Sequence, residues 1–328
     1  MLAALLLEPG RVVVDEVAEP EVGAQDVRIA IGGVGLCGSD MSVFSGKWQA
    51  PSYPWIVGHE AFGIIDAVGS EVAASRVGEL VVVEPNIACG SCSQCAQERT
   101  SACERRRSVG MNRPGALAER LVVPASRAWP MAPLEPRDLV CVEPFTVVET
   151  ALRRLPTALP AAALVIGAGA QGLLMSLALQ RRGATVHLAD INRDRVAFAS
   201  EVLGVEALEP GDGQRFPFVV DSTGVPAAMA EAIAHAEVGA TIVELGLDAH
   251  PFELTAETLV RQQLVLRGSL TYDHPRDFRS TTALISTGSV SPGRVVSHEF
   301  PFSEAQSAFE TCATAAGKTW IRLSPESA

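Results

Sequence analysis

The stretch from Ala162 to Asp190, AALVIGAGAQGLLMSLALQRRGATVHLAD, constrains the fold more than any other part of the chain. An apolar run meets glycines at 167, 169 and 172 in G-x-G-x-x-G spacing, passes into a helix-like segment, and reaches a second apolar run closed by Asp190. Strand, glycine turn, helix and strand in that order form a dinucleotide-binding unit. Gly167 suits the tight turn, Gly169 lets the backbone approach a pyrophosphate, and Gly172 lets helix and strand pack closely. The helix N-terminus adds the positive end of its dipole. Asp190 is placed to accept hydrogen bonds from ribose hydroxyls and to repel a 2′-phosphate, which reads as NAD rather than NADP. Arg193 and Arg195 stand against this, because an arginine beside the acid accommodates that phosphate. A packing loop followed by a plain sheet-edge acid is the bland alternative.

Three more apolar runs follow: FPFVVDSTG (216–224), TIVELG (241–246) and QLVLRG (263–268). Apolar strands alternating with helix-like stretches predict a parallel sheet covered on both faces, the doubly wound α/β class. Residues 1 to about 145 have another texture. RVVVDEV, DVRIAIGGVG, AFGIIDAVG, ELVVVEP and AERLVVP are short β-like runs between Gly, Pro and Ser turns. At 328 residues, about two domains are expected. We place them at 1–150 (β-rich, with a cysteine lobe at about 86–105) and 151–275 (dinucleotide-binding). The last segment, 276–328, carries at least two helical patterns. RRLPTALPAAA (153–163) is the expected boundary between the textures.

The lobe is VVEPNIACGSCSQCAQERTSAC, which holds Cys89, Cys92, Cys95 and Cys103 of only seven cysteines. C-x2-C-x2-C-x7-C places four thiolates where one tight loop can bring them onto a tetrahedral ion, with Gly90 at the turn. Disulfides between such close neighbours are strained, and thiols in a reducing compartment stay free. Bacterial iron–sulfur runs place a proline after the last cysteine, where this chain has Glu104. The reading is a closed structural zinc site. Cys37, His59, Glu60 and Glu143 offer a second donor set. Singly, each has a bland reading as a core thiol, a satisfied histidine or a surface acid. Together they suit a zinc site with an open position.

Composition narrows the partners. A net charge of −12 argues against nucleic acid, whose phosphates need a basic footprint. The opening MLAALLLEPG has no basic segment before its apolar run, which predicts no secretory leader. No apolar run reaches the roughly 18 uninterrupted residues of a membrane helix. The expectation is a cytoplasmic protein acting on a small molecule.

In order along the chain, Cys37-Gly38-Ser39-Asp40, Gly58-His59-Glu60, the four-cysteine lobe, Glu143-Pro144, the glycine fingerprint and Asp221-Ser222-Thr223-Gly224 resemble the zinc-containing medium-chain dehydrogenases. The sorbitol, butanediol and threonine dehydrogenase branch is the nearest in pattern, and the resemblance covers nearly the whole chain. It implies a GroES-like β-rich catalytic domain, a Rossmann domain, and a C-terminal segment returning to the first. It implies two Zn²⁺ per chain, and a homodimer or homotetramer. Cys37 and His59 are implied as direct ligands of catalytic zinc, and Glu60 as an exchangeable one. Glu143 stands where simple alcohol dehydrogenases have cysteine. Ser39 is implied to bond the substrate hydroxyl. Gln171, Arg195, Thr223, Leu245, Gly246, Leu247, Ser269 and Leu270 join Gly167, Gly169, Gly172 and Asp190 as cofactor residues.

The implied reaction is hydride transfer between a secondary alcohol (a polyol, cyclitol or amino alcohol) and NAD. A general secondary alcohol dehydrogenase is one alternative, and a non-catalytic dinucleotide sensor is another. Two departures stand out. Ser42 occupies the place of a proton-relay histidine, and Glu98 stands where the lobe has glycine. Phe44, Trp48 and Trp55 lie in the segment that walls the pocket in relatives, although Trp55 reads as core.

Overall fold

The computed structural model describes residues 1–155, 160–209 and 212–323. The chain divides into two units, residues 1–144 with 273–328, and residues 145–272. Part of the expected boundary, 156–159, lies outside the described residues.

The first unit is built on β-strands whose side chains alternate between core and solvent. β1 (Leu2–Glu8) and β2 (Arg11–Glu16) form a hairpin. β3 (Asp26–Gly35) buries every second residue from Val27 until its end, where both faces are covered. Such alternation is what one packed face and one wetter face require. β4 (Glu60–Val68), β5 (Leu80–Val83), β6 (Arg120–Pro124) and β7 (Ala128–Pro130) extend that sheet. Five of these strands fall on the β-like runs read from the sequence. Helix α1 (Gly38–Phe44) follows β3 directly, and α2 (Val142–Arg153) leads into the second unit.

The second unit is the doubly wound sheet. Its strands are β8 (Ala162–Ile166), β9 (Thr185–Ala189), β10 (Glu206–Ala207), β11 (Phe216–Asp221), β12 (Ala236–Glu244) and β13 (Val265–Gly268). They lie in the order β10-β9-β8-β11-β12-β13, every pair parallel. α3 (Ala170–Arg181) buries every residue from Gly172 to Leu179, more than two full turns, so it is covered on all sides and not only where it meets the sheet. α4 (Arg193–Leu203) starts at Asn192, whose side chain accepts the amides of Asp194 and Arg195, and stops at Gly204 with φ +66°. α5 (Pro226–Ala234) covers the other face over β11 and β12, and α6 (Ala256–Arg261) precedes the edge strand β13.

One crossover is unusual. Parallel strands are normally joined by a dozen or more residues, mostly helical. From β10 to β11 the chain has eight residues, 208–215, with no helix among those described. The sheet face that such a helix would cover stays open. A cavity of about 480 Å³ occupies it, floored by Leu164, Ile166 and Leu208, and reaching Gly167, Asp190 and Thr223.

The chain then supplies α7 (Arg276–Ser286), β14 (Val296–Pro301), α8 (Ala305–Cys312) and β15 (Lys318–Arg322) to the first unit. β15 pairs antiparallel with the end of β3, opposite Gly33 to Gly35. The main sheet of that unit therefore runs β7-β5-β4-β3-β15-β14, with β6 also on β3. Among the described residues no helix is long and apolar enough to cross a membrane.

Candidate metal centres and dinucleotide site

The end of β3 organises the first site. β4 pairs with it so that Glu60 lies opposite Gly35, and Cys37 follows two residues later as the residue capping α1. Strand pairing thus brings Cys37, His59 and Glu60 together, their donor atoms all within 4.8 Å of one another. His59 and Glu60 are buried and Cys37 is half-buried. Glu143 is buried in the first turn of α2, but its carboxylate is not in that cluster. Ser39 lies half-buried on the first turn of α1.

Two supporting residues were not legible in the sequence. Asp40 is fully buried, and its Oδ1 lies 3.1 Å from both His59 Nδ1 and the Gly58 amide. Its Oδ2 accepts the Cys37 amide at 3.0 Å. Burial alone would push the Asp40 carboxyl up. The His59 charge and these hydrogen bonds outweigh it and hold the carboxyl below its ordinary value. Burial would likewise lower His59, but Asp40 raises it well above the ordinary histidine range. A ring whose Nδ1–H faces a carboxylate is a strong base at Nε2, the atom it would present to a metal. Asp40 sits in the Cys-Gly-Ser-Asp motif, so its position was visible and its role was not.

Lys318 is the second. It is buried at the start of β15, with Nζ paired to Glu60 and bonded to the Leu36 carbonyl at 3.3 Å. Burial disfavours the ammonium, yet the Glu60 carboxylate more than compensates and raises its pKa. β4 and β15 flank β3, so these two side chains meet across Gly35. A Cβ there would strike Glu60 and come within 2.8 Å of Lys318 Cε. Only glycine fits.

The Ser42 hydroxyl donates to the backbone carbonyl of Gly38 in its own helix, at 3.1 Å. Trp55 is core, bonded through Nε1 to the Gly110 carbonyl at 3.0 Å, and Phe44 stacks on Phe309 with centroids 4.9 Å apart. Trp48 packs against the same core.

The cysteine lobe forms the other cluster. The sulfurs of Cys89, Cys92, Cys95 and Cys103 all lie within 4.8 Å of one another, Cys92 and Cys95 at 3.5 Å and Cys89 and Cys95 at 4.0 Å. Four thiolates at about 2.3 Å from a tetrahedral zinc would sit about 3.8 Å apart. No disulfide links them. The Ser91 amide draws Cys89 down to about 5, while burial and the neighbouring thiols push Cys95 up to about 11. Such crowded sulfurs ionise together only around a cation, so the donor set fits zinc. Arg105 bonds Cys89 Sγ at 3.4 Å and offsets its charge. The departure at Glu98 has a backbone cost, because the residue sits at φ +57°.

In the second unit Gly167 has φ +97°, and a Cβ there would meet Ser222 Oγ at 2.5 Å. A Cβ on Gly172 would strike the Gly167 carbonyl, whereas one on Gly169 would meet nothing within 4 Å. The loop is therefore tight at its ends and open in its middle, where a pyrophosphate would approach. Asp190 is fixed by the Ala168 and Asn192 amides, each at 2.7 Å. Arg193 is exposed and Arg195 half-buried. Gln171 carries a buried Oε1 with no donor, as a residue awaiting a ligand would. The Thr223 hydroxyl donates to Asp221 at 2.7 Å, and Ser269 Oγ takes Arg154 at 3.1 Å. Leu247 and Leu270 are exposed apolar side chains on the segments Leu245–Leu247 and Ser269–Leu270. These features fit a dinucleotide.

Comparison with known proteins agrees with this geometry. Residues 23–133 match the alcohol dehydrogenase GroES-like domain, and residues 172–287 the zinc-binding dehydrogenase family. A D-altritol 5-dehydrogenase of Agrobacterium fabrum is 32% identical over 317 residues, 93% of this chain and 94% of that one. An alcohol dehydrogenase from Escherichia coli CFT073, solved with NADH, superposes with a TM-score of 0.89 at 27% identity, covering 98% of this chain and 99% of the other. A zinc-binding dehydrogenase from Sinorhizobium meliloti 1021, solved with NADP, gives 0.89 at 26% identity over 98% and 99%.

Proposed function

Because the chain belongs to the zinc-dependent medium-chain alcohol dehydrogenase family, we propose that it transfers hydride between a secondary alcohol bearing a second polar group and NAD. The observation that carries this reading is the Cys37–His59–Glu60 cluster, with Asp40 behind the histidine and Lys318 behind the glutamate. When bound, zinc supplies Lewis acidity to an alcohol oxygen and the dinucleotide supplies the hydride acceptor.

The chain's own residues do the rest. Cys37 Sγ and His59 Nε2 hold the metal, and Asp40 fixes the imidazole tautomer and its angle. Lys318 cancels the charge of Glu60, so the cluster brings one net negative charge to a dication and leaves it acidic. Ser39 Oγ accepts the proton of the substrate hydroxyl. With Ser42 tied to Gly38, the proton leaves Ser39 by the cofactor ribose or water. Glu143, buried in the first turn of α2, is the carboxylate we assign to the substrate's second hydroxyl or amine. Cys89, Cys92, Cys95 and Cys103 hold structural zinc. Asp190, fixed by two amides, favours NAD over NADP.

Seven cysteines without a disulfide suit a reducing cytoplasm, and we take the protein to act there as a homodimer. The test is kcat/KM for a vicinal diol against the mono-alcohol of equal carbon count, followed by NADH appearance, with zinc content measured alongside. A preference for the diol and about two zinc per chain are expected. Equal values would leave a general secondary alcohol dehydrogenase, and a single zinc with no turnover would leave a sensor.

A further inference from the structure

We propose that Asp221 and Glu244 share one proton, and that this proton fixes the turns Ser222–Gly224 and Leu245–Leu247 against each other beside the bound nicotinamide. Both are positioning residues, and the inference rests on the dinucleotide reading above.

The two acids end neighbouring strands. They are direct partners in the β11–β12 register, on one face of the sheet. Asp221 is fully buried, and its Oδ1 holds the first turn by accepting the Thr223 amide at 2.8 Å, the Thr223 hydroxyl at 2.7 Å and the Gly224 amide at 3.3 Å. Glu244 holds the second turn by accepting the Gly246 amide. Each acid then keeps one buried oxygen with no other donor, Oδ2 on Asp221 and Oε1 on Glu244. Leaving two such oxygens unsatisfied is costly, and two adjacent carboxylates repel. One proton between these register partners removes both penalties. Burial first, and the Asp221 charge second, push Glu244 up to about 8, so at neutral pH it is Glu244 that donates.

What the link holds is a backbone contact. A Cβ on Gly224 would lie 2.6 Å from Gly246 C and from Leu247 N, and one on Gly246 would be 2.5 Å from Gly224 Cα. The turns touch without side chains; at their base the Leu245 amide donates to the Asp221 carbonyl at 2.9 Å, and the acid pair adds a side-chain tie beside that backbone bond.

Few other charges face Glu244. Its partner on β13 is Gly268, which has no side chain, and Arg267 pairs with Val243 and so belongs to the opposite face. α5 carries Glu231, which pairs with His235 at 3.5 Å. The following turn carries Asp248, paired with His250 at 2.6 Å. Arg154 is bonded to Ser269 and to the Leu270 carbonyl.

The sign follows from linkage. Below about pH 8 the proton is in place and the turns are fixed. Above it, two charged carboxylates push the turns apart, and cofactor binding must take up a proton. Affinity then falls toward about tenfold per pH unit.

The test is NADH affinity of the zinc-loaded protein, by fluorescence titration from about pH 6.5 to about pH 9.5. The wild type should bind evenly up to about pH 7.5 and weaken above about pH 8. Glu244→Gln should stay within about threefold of the neutral wild-type value at every pH, because its amide donates permanently to Asp221. Should that variant not fold, Asp221→Asn supplies the N–H from the other side, keeps an acceptor for the turn, and should lose the alkaline fall equally. A wild type that binds evenly to about pH 9.5, or an alkaline fall unchanged in both variants, overturns the shared proton and leaves the dinucleotide reading standing. No NADH binding at any pH would overturn both.

Discussion

At the scale of single residues, the Glu60–Lys318 pair decides how the metal site is charged. Both groups are almost wholly shielded from water, so each is tolerable only because of the other. Lys318→Met should leave an uncompensated buried carboxylate and destabilise the protein by about 3–5 kcal/mol. Adding Glu60→Gln should recover most of that loss, since the remaining amide needs no counter-charge. Thermal unfolding of the three variants checks it, and additive losses in the double variant would refute the coupling. The same pair shows where sequence reading stopped. Cys37, His59 and Glu60 were legible because ligand chemistry restricts residue type within a short motif. Lys318 lies 258 positions from Glu60, and only the placement of β15 beside β3 makes the two neighbours. Asp40 was written in the motif, but its partnership with His59 depends on the turn that α1 makes after β3.

Elements were readable where a hydrophobic period is long and unbroken. β3, β4, β8, β9 and β11 follow their apolar runs closely, and the glycine fingerprint marked the start of α3. β14 and β15 carried no such signal. VSHEFP and KTWIR mix polar and apolar residues because one strand is half-exposed and the other buries Lys318 and Thr319. The short crossover at 208–215 was equally silent, since a connection with no helix among its described residues leaves no pattern to read. Glu98 lies between these cases, visible as a departure and explained only by its backbone. A non-glycine residue at φ +57° stores local strain of order 1 kcal/mol or more. Glu98→Gly should relieve it and stabilise the chain by about 0.5–1 kcal/mol, after the extra entropy that glycine loses on folding. Melting curves of the zinc-loaded lobe variant test this. A lower melting temperature with both zinc ions retained would mean that the Glu98 side chain contributes more than its backbone costs.

For the whole molecule, the unanswered surface is the free edge of the second unit's sheet. β13 ends the strand order, so one row of its N–H and C=O groups faces no strand among the described residues. Natural edges are usually blunted by charge, proline or a bulge. Here Val265 and Leu266 are 43% and 38% exposed, on opposite faces of the strand, and Val260 on the preceding helix is 72% exposed. An apolar, unprotected edge suits a second copy of itself, because a two-fold axis lays β13 antiparallel on its partner and buries both rows at once. The result would be a continuous sheet with six strands from each protomer. Ser269 and Leu270 follow β13 without a break, so this pairing would also steady the segment proposed to meet the nicotinamide. The parent is expected to sediment as a dimer at micromolar concentration, and Val265→Lys combined with Leu266→Lys should yield a monomer. The monomer should keep both zinc ions, whose ligands all lie in the first unit, and should bind NADH more weakly. A parent that sediments as a monomer, or a double variant that remains dimeric, would move the interface away from β13.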